Sequence, residues 1–91
     1  MPEEMILLRN ALTARDIPWV NMSYNLDRSF PFLNLIVYRT VYDHNNHHWV
    51  VKSGYGTFGG DDGLLELEID GDLPKGRLKA VDILNLLDTD F

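Results

Sequence analysis

The first segment of the chain has apolar residues at helical spacing. They recur at i, i+3 and i+7, and they are Met5, Leu8 and Leu12, with Ile6 and Ala11 beside them. This spacing predicts a helix over positions 3–16 with one apolar stripe. Pro18 cannot continue a helix, so we expect the helix to end before it.

The next three segments have β-type patterns. A weak pattern at 19–25 indicates a short edge strand, and the β-branched and aromatic residues at 32–42 predict a long strand that follows a turn at 27–31. Positions 47–53 predict a second strand that forms an antiparallel hairpin with the first across Asp43-His44-Asn45-Asn46. On the long strand we expect the core face to carry Leu33, Leu35, Val37 and Val41.

The segment 64–70 alternates strictly between apolar and acidic residues. Leu65, Leu67 and Ile69 are expected to point inward, and Glu66, Glu68 and Asp70 to point outward. A loop is predicted at 71–76. The apolar stripe that follows predicts a closing helix over 79–88, and it comprises Ala80, Val81, Ile83, Leu84 and Leu87.

The order of these elements predicts an α+β fold. We expect α-β-β-β-α in a single domain over residues 1–91, with a three- or four-stranded antiparallel sheet and both helices on one face. A chain of 91 residues is short for a domain, and a deep enzyme cleft is therefore not the first expectation.

The net charge of −6 is unevenly distributed. Positions 1–57 carry five acids and five bases, whereas 58–91 carry nine acids and three bases. Such a surface repels phosphate backbones and favours basic partners. We therefore expect no direct nucleic-acid binding, although the element order is also that of double-stranded RNA-binding domains.

Cysteine usage and hydropathy indicate how the chain is stabilised and in which compartment it is expected. The chain has no cysteine, so stability must come from packing and not from disulfides or a thiolate zinc site. No apolar run is long enough to cross a bilayer, and the start Met-Pro-Glu-Glu lacks the basic region of a secretory signal. The expectation is a cytoplasmic protein without a membrane partner.

Several blocks in the second half of the chain carry a family resemblance. They are Trp49-Val50-Val51, the loop from Gly54 to Gly59, Gly63-Leu64-Leu65-Glu66, and Gly76-Arg77-Leu78-Lys79-Ala80 with Asp82. Together they resemble a family of small bacteriophage and prophage proteins without an assigned activity. The resemblance covers about residues 47–88 and implies a phage-type accessory protein that acts by stoichiometric binding to a host component. Lys79 stands where the family has a helix-capping threonine, which predicts a poorly capped last helix.

Two motifs suggest a small ligand. Gly54-x-Gly56-x-x-Gly59 matches the dinucleotide pattern, but Asp61-Asp62-Gly63 leads into a predicted strand instead of a helix N-terminus. A bulged hairpin connection is therefore favoured over a nucleotide site.

The histidine turn offers potential metal ligands, and they are Asp43, His44, His47 and His48. His47 and His48 should point to opposite faces of their strand. We therefore expect a solvated turn, no metal site and no cofactor.

The acidic row suggests a protein partner. Six acids lie within twelve residues without a base: Asp61, Asp62, Glu66, Glu68, Asp70 and Asp72. We expect their outward carboxylates to form one continuous, water-facing negative ridge, which could also be only a solvated strand face. Aromatic residues exceed the needs of one small core and suit an interface or a homodimer, and they are Trp19, Tyr24, Phe30, Tyr38, Tyr42 and Tyr55.

The leading hypothesis is thus a non-enzymatic accessory protein that binds, and inhibits, a host defence or nucleic-acid-binding factor. Its expected partner-binding residues are Tyr55, Asp61, Asp62, Glu66, Glu68 and Asp70, and no residue is assigned a catalytic role. The alternative is a small-ligand or metal-binding domain that uses the glycine-rich loop or the histidine turn.

Overall fold

The computed structural model describes residues 1–26, 29 and 35–89. The predicted turn residues Asp27, Arg28, Phe30 and Pro31, and the predicted strand start with Leu33, lie outside these residues. In chain order the elements are helix α1 (Glu3–Ala14), strands β1 (Val20–Asn21), β2 (Tyr24–Asn25), β3 (Ile36–His44) and β4 (His47–Gly54), a 3₁₀ turn (Gly60–Asp62), strands β5 (Leu65–Ile69) and β6 (Lys75–Leu78), and helix α2 (Ala80–Leu87).

The strands form one antiparallel sheet. Their order is β1-β3-β4-β5-β6, and β2 pairs with β3 beside β1. The predicted α+β class with a helix at each end is confirmed, but the predicted number of strands is too low. The edge segment at 19–25 forms two short strands, and β6 begins at Lys75 and Gly76, inside the predicted loop.

The β3–β4 hairpin is confirmed, with a two-residue turn. Asn45 and Asn46 have φ values of 51° and 65°, which is the left-handed geometry that a type I′ turn requires and that asparagine tolerates. The turn places His44 opposite His47 and Tyr42 opposite Trp49. This register fixes which side chains of the hairpin face the helices.

Both helices pack on one face of the sheet, as predicted. The shared core consists of Met5, Leu8 and Leu12 of α1, Ala80, Ile83 and Leu87 of α2, and Tyr42, Trp49, Val51, Leu65 and Leu67 of the sheet. Within the described chain, no helix has the length and apolar character needed to span a membrane.

The predicted core face of β3 is wrong. Thr40 and Tyr42 lie on the helix side, in register with Val51 and Trp49, whereas Val37 and Val41 lie on the opposite face, where they are also buried. A core face is recognised in a sequence because apolar residues alternate with polar ones. Since β3 has buried residues on both faces, this alternation is absent and does not identify the core face.

Arg9 explains how the polar Thr40 can be buried. The Arg9 side chain of α1 is itself buried. Its Nε donates to Thr40 Oγ1 at 2.7 Å. Its Nη2 donates to Asn21 Oδ1 at 3.1 Å and to the Arg39 carbonyl at 3.3 Å. The guanidinium also lies 4.9 Å from the centre of the Trp19 ring. Burial lowers the pKa of Arg9, and the side chain joins α1 to β1 and β3.

The Lys79 side chain makes no capping hydrogen bond to α2, as predicted, but two carboxylates bind N–H groups at the start of the helix. Asp82 Oδ2 accepts the Lys79 backbone N–H at 2.8 Å, and Glu4 Oε2 of α1 accepts the Ala80 N–H at 2.7 Å. These carboxylates accept the N–H groups of positions 79 and 80, whereas a threonine at position 79 would have accepted that of position 81 or 82. Both carboxylates lie at the positive end of the helix dipole.

Candidate functional site

The structure does not bring the six predicted binding residues into one site. Tyr55, Asp61 and Asp62 lie in the loop 54–63 that joins β4 to β5, whereas Asp70 follows β5 at the other end of the sheet. The five residues of β5 span about 16 Å at ordinary strand geometry. The two groups therefore form separate surfaces.

Glu66 and Glu68 lie between these ends, on the face of β5 away from the helices. Both are only partly exposed. Lys52 is in register with Glu66, and Val50 with Glu68, and the same side chains line one small depression with Pro74. A lysine on the same face interrupts the acidic row, so the expected continuous ridge is not formed.

The loop 54–63 has a fixed internal structure. Thr57 Oγ1 and the Thr57 N–H donate to the Gly54 carbonyl at 2.9 and 3.3 Å, and the Gly60 N–H donates to the Thr57 carbonyl at 3.1 Å. A Cβ at Gly60 would collide with the Gly54 carbonyl oxygen and with Thr57 Oγ1. Gly60 is required because the chain passes against itself at this point.

The loop is anchored on β6. A Cβ at Gly76 would collide with the Phe58 side chain, and the Arg77 N–H donates to the Phe58 carbonyl at 3.2 Å. Arg77 Nη1 donates to Asp62 Oδ2 at 3.1 Å. Arg77 has a φ of 58°, a conformation that costs a non-glycine residue about 1–2 kcal/mol, and the backbone bond to the Phe58 carbonyl holds it there.

This anchored loop exposes two aromatic side chains. Tyr55 is 54% and Phe58 64% exposed, and the neighbouring Asp61 is exposed as well. Phe58 was missed as a candidate. No pattern within the loop marks it, because its exposure follows from how the loop lies on Gly76 of β6.

The opposite end of the sheet carries two histidine–carboxylate pairs. His47 Nδ1 lies 2.5 Å from Asp70 Oδ2, and His48 Nδ1 lies 2.8 Å from Asp43 Oδ1. The two imidazoles contact different carboxylates, in agreement with their predicted opposite directions. Asp70 Oδ1 also accepts the His48 backbone N–H at 2.7 Å, and this bond, followed by the one to His47, lowers the pKa of Asp70.

These pairs border an open, polar depression of about 430 Å³ at the hairpin turn. Its lining comprises Asp43, His44, Asn45, Asn46, His47, His48 and Asp70, and this set contains no serine, threonine, cysteine or lysine that could act as a nucleophile. Within residues 1–26, 29 and 35–89, no group of three or more histidine, cysteine, aspartate or glutamate residues is arranged to hold a metal ion. The metal alternative therefore lacks a ligand set in this part of the chain.

The glycine-rich loop likewise lacks the geometry of a nucleotide site. The three-residue 3₁₀ turn Gly60–Asp62 is followed by β5, so no helix N-terminus is available to bind a phosphate. A Cβ at Gly54 would meet the Ile36 carbonyl oxygen, and one at Gly60 would meet the Gly54 carbonyl oxygen and Thr57 Oγ1, so these glycines make room for the chain itself.

Comparisons of the chain with models of protein families, with curated proteins and with solved structures give no match in any of the three.

Proposed function

We propose that this chain is a non-enzymatic protein-binding module that recognises a basic protein surface through its glycine-rich loop. We use the term loop surface for Tyr55, Phe58, Asp61 and Asp62. The observation that carries the proposal is that two exposed aromatic rings stand beside carboxylates on a loop whose backbone is anchored at Gly60 and at Gly76.

Anchoring favours binding, because a flexible loop loses conformational entropy when a partner binds to it. Immobilising one flexible side chain costs about 0.5–1.5 kcal/mol, and a loop with several glycines would add a further cost for its backbone. Here the contacts of Phe58 with Gly76 and Arg77 fix the loop before a partner arrives. Tyrosine and phenylalanine are suitable anchors, because they bury a large area with few rotatable bonds.

The charge of the loop surface favours a basic partner. Asp61 is exposed and has no hydrogen bond or ion pair to any of the residues that the structure describes. Asp62 is held by Arg77 in a pair whose side chains are 62% and 70% exposed, and such an exposed pair contributes little to stability. A basic group of the partner can therefore compete for Asp62 and pair with Asp61. These charges would act mainly on the association rate and on specificity.

The family resemblance supports an accessory role for this module. Under the proposal, the chain acts as a phage-type protein that binds a host defence or nucleic-acid-binding factor stoichiometrically in the host cytoplasm and thereby inhibits it. Glu66 and Glu68 form a neighbouring surface that includes Lys52. In this proposal they support the negative potential but do not provide the main contact.

The proposal is tested by affinity capture from a bacterial lysate with the purified chain on a solid support. Tyr55→Ser combined with Phe58→Ser removes both anchors, and Asp61→Lys reverses the exposed charge. The matched control is Leu73→Ser, since Leu73 is 91% exposed and lies outside the loop. We expect one protein to be captured by the wild type and the control, to be lost with the aromatic variant, and to be weakened with Asp61→Lys.

A separate variant, Glu66→Lys with Glu68→Lys, distinguishes the two acidic surfaces. If it abolishes capture while the aromatic variant captures normally, the strand and not the loop is the binding surface, and the proposal is refuted. Equal recovery with all variants would also contradict it, because a partner that ignores both surfaces does not recognise the chain as described.

A further inference from the structure

An arginine of the chain itself lies against the loop surface. A Cβ built on Gly59 would lie 3.0 Å from both Cα and Cγ of Arg77, so the stem of this side chain runs along the loop backbone. Its Nη1 donates to Asp62 Oδ2 at 3.1 Å. The loop therefore already accommodates one arginine side chain, with a glycine beneath the stem and a carboxylate at the guanidinium.

The contact with Arg77 uses only part of the binding capacity of this surface. Arg77 donates one hydrogen bond to Asp62, although a guanidinium has five N–H donors. Asp61 is exposed and makes no hydrogen bond or ion pair within the part of the chain that the structure describes. Because exposed ion pairs contribute little to stability, a second guanidinium can displace Arg77 from Asp62.

We propose that the loop surface binds an arginine side chain of the partner, with the guanidinium at Asp61 and Asp62 and its plane against the ring of Phe58. The ring is 64% exposed, and Phe58 contacts β6 at Gly76, the residue before Arg77. This inference rests on the proposed function, and it names the chemical group that the loop surface recognises.

The composition of the site favours arginine over lysine. A guanidinium is planar, it donates two parallel hydrogen bonds to a carboxylate, and it stacks on an aromatic ring. An ammonium group is a compact charge that does not make the paired, planar contact. Phe58 and the adjacent carboxylates provide partners for both contacts of the guanidinium. Arg77 competes for one of these carboxylates, so it lowers the affinity for the arginine of the partner.

The first test is an NMR titration of the intact chain with the peptide Gly-Gly-Arg-Gly-Gly, with blocked ends, and with the same peptide carrying lysine at its centre. The signals of Phe58, Asp61 and Asp62 report binding. We expect these signals to shift saturably with the arginine peptide and the lysine peptide to bind about threefold more weakly or worse, because it lacks the planar fork. Equal affinity for the two peptides, or shifts that lie outside the loop, would overturn the proposal.

Arg77→Asn tests the competition. Asparagine tolerates the φ of 58° at this position and keeps the backbone N–H that donates to Phe58. We expect this variant to bind the arginine peptide about two- to fivefold more tightly, as the loss of one exposed ion pair implies. The matched control is Lys75→Asn, which removes the same charge from an exposed side chain of the same strand and should change the affinity by less than about twofold.

The role of the free carboxylate is tested separately. Asp61→Asn should weaken binding of the arginine peptide about threefold or more, because a charge-assisted hydrogen bond is lost. Asp72→Asn makes the same charge change at an exposed residue of the β5–β6 loop and should bind as the wild type does. The dispersion of each NMR spectrum shows whether the variant is folded. Equal weakening by both variants would overturn the proposal, since it would leave only a general effect of net charge.

Failure of this inference differs from failure of the proposed function. If protein capture depends on the loop surface but the arginine peptide does not bind there, the recognition of arginine is refuted and the proposed function stands. If the arginine peptide binds at the loop but no captured protein depends on Tyr55, Phe58 or Asp61, the arginine site stands and the proposed function is refuted.

Discussion

The anchored loop makes a specific prediction for Gly60→Ala. Gly60 does not have a positive φ, so alanine is acceptable to its backbone, but the new Cβ would collide with the Gly54 carbonyl oxygen and with Thr57 Oγ1. The loop can relieve the collision only by separating the two chain passes. This would stretch the bonds from Thr57 to the Gly54 carbonyl and from Gly60 to the Thr57 carbonyl.

The magnitude follows from these contacts. Forcing an extra carbon into a packed site costs about 1–3 kcal/mol, and each weakened hydrogen bond adds about 0.5–1.5 kcal/mol. The packing cost and two weakened hydrogen bonds together give a loss of about 2–6 kcal/mol in the free energy of unfolding of Gly60→Ala. The total is roughly 5–15 kcal/mol for a domain of this kind, so a loss in the lower part of this range leaves the variant folded.

Gly56→Ala is the matched control in the same loop. Gly56 has a φ of +74° but no atom near its Cβ position, so alanine costs only the backbone strain of about 1–2 kcal/mol. The assay is urea unfolding followed by the fluorescence of the buried Trp49. The reasoning is refuted if Gly60→Ala unfolds at the same urea concentration as the wild type, or costs less than Gly56→Ala.

Three further predictions concern the side chains that fasten the elements together. Arg9→Met should lower the free energy of unfolding by about 1–3 kcal/mol, because Thr40 Oγ1 and the Arg39 carbonyl lose a charged donor. An unchanged midpoint of urea unfolding would contradict this role. Glu4→Ala should lower the free energy of unfolding by about 0.5–2 kcal/mol, because the Ala80 N–H of α2 loses its acceptor. Glu4→Gln keeps an acceptor oxygen and should lower it less. Equal losses for the two variants would contradict this role of Glu4. Because folding lowers the pKa of Asp70, its contribution to stability is fully present above the pKa of the unfolded chain and is lost as the pH falls through the folded value. Asparagine tolerates the local φ of 53° at position 70. Asp70→Asn should therefore make the free energy of unfolding depend less on pH on the acid side, and an unchanged slope would contradict the role of the Asp70 carboxylate.

The parts of the fold that sequence predicts well are those with a local pattern. The stripe Met5, Leu8 and Leu12 and the alternation that buries Leu65 and Leu67 need no information from elsewhere in the chain, and all five side chains are buried as predicted. The hairpin turn is equally local, because two asparagines supply the left-handed conformations that it needs.

The errors arise where distant residues decide the outcome. β6 contains few strand-forming residues and exists through its pairing with β5, which includes a register shift beside Arg77. The carboxylate that accepts the Ala80 N–H at the start of α2 belongs to Glu4, at the other end of the sequence. Thr40 can face the core because Arg9 satisfies it, and no pattern within β3 contains that information.

The candidate site was predicted only in part for the same reason. The acidic row is contiguous in sequence, but β5 separates its ends, and Lys52 and His47 reach it from β4. Tyr55 and Asp61 were identified from composition and charge. Phe58 was not, because its exposure follows from how the loop lies on Gly76.

The central claim is that the loop surface is held in one conformation before any partner binds. Amide hydrogen exchange tests it directly at the N–H groups of Gly60, Leu64 and Arg77, which donate to the carbonyls of Thr57, Gly59 and Phe58. If the loop is preorganised, these three amides exchange about as slowly as those in the centre of β4. Rapid exchange at all three, with β4 still protected, would contradict the claim.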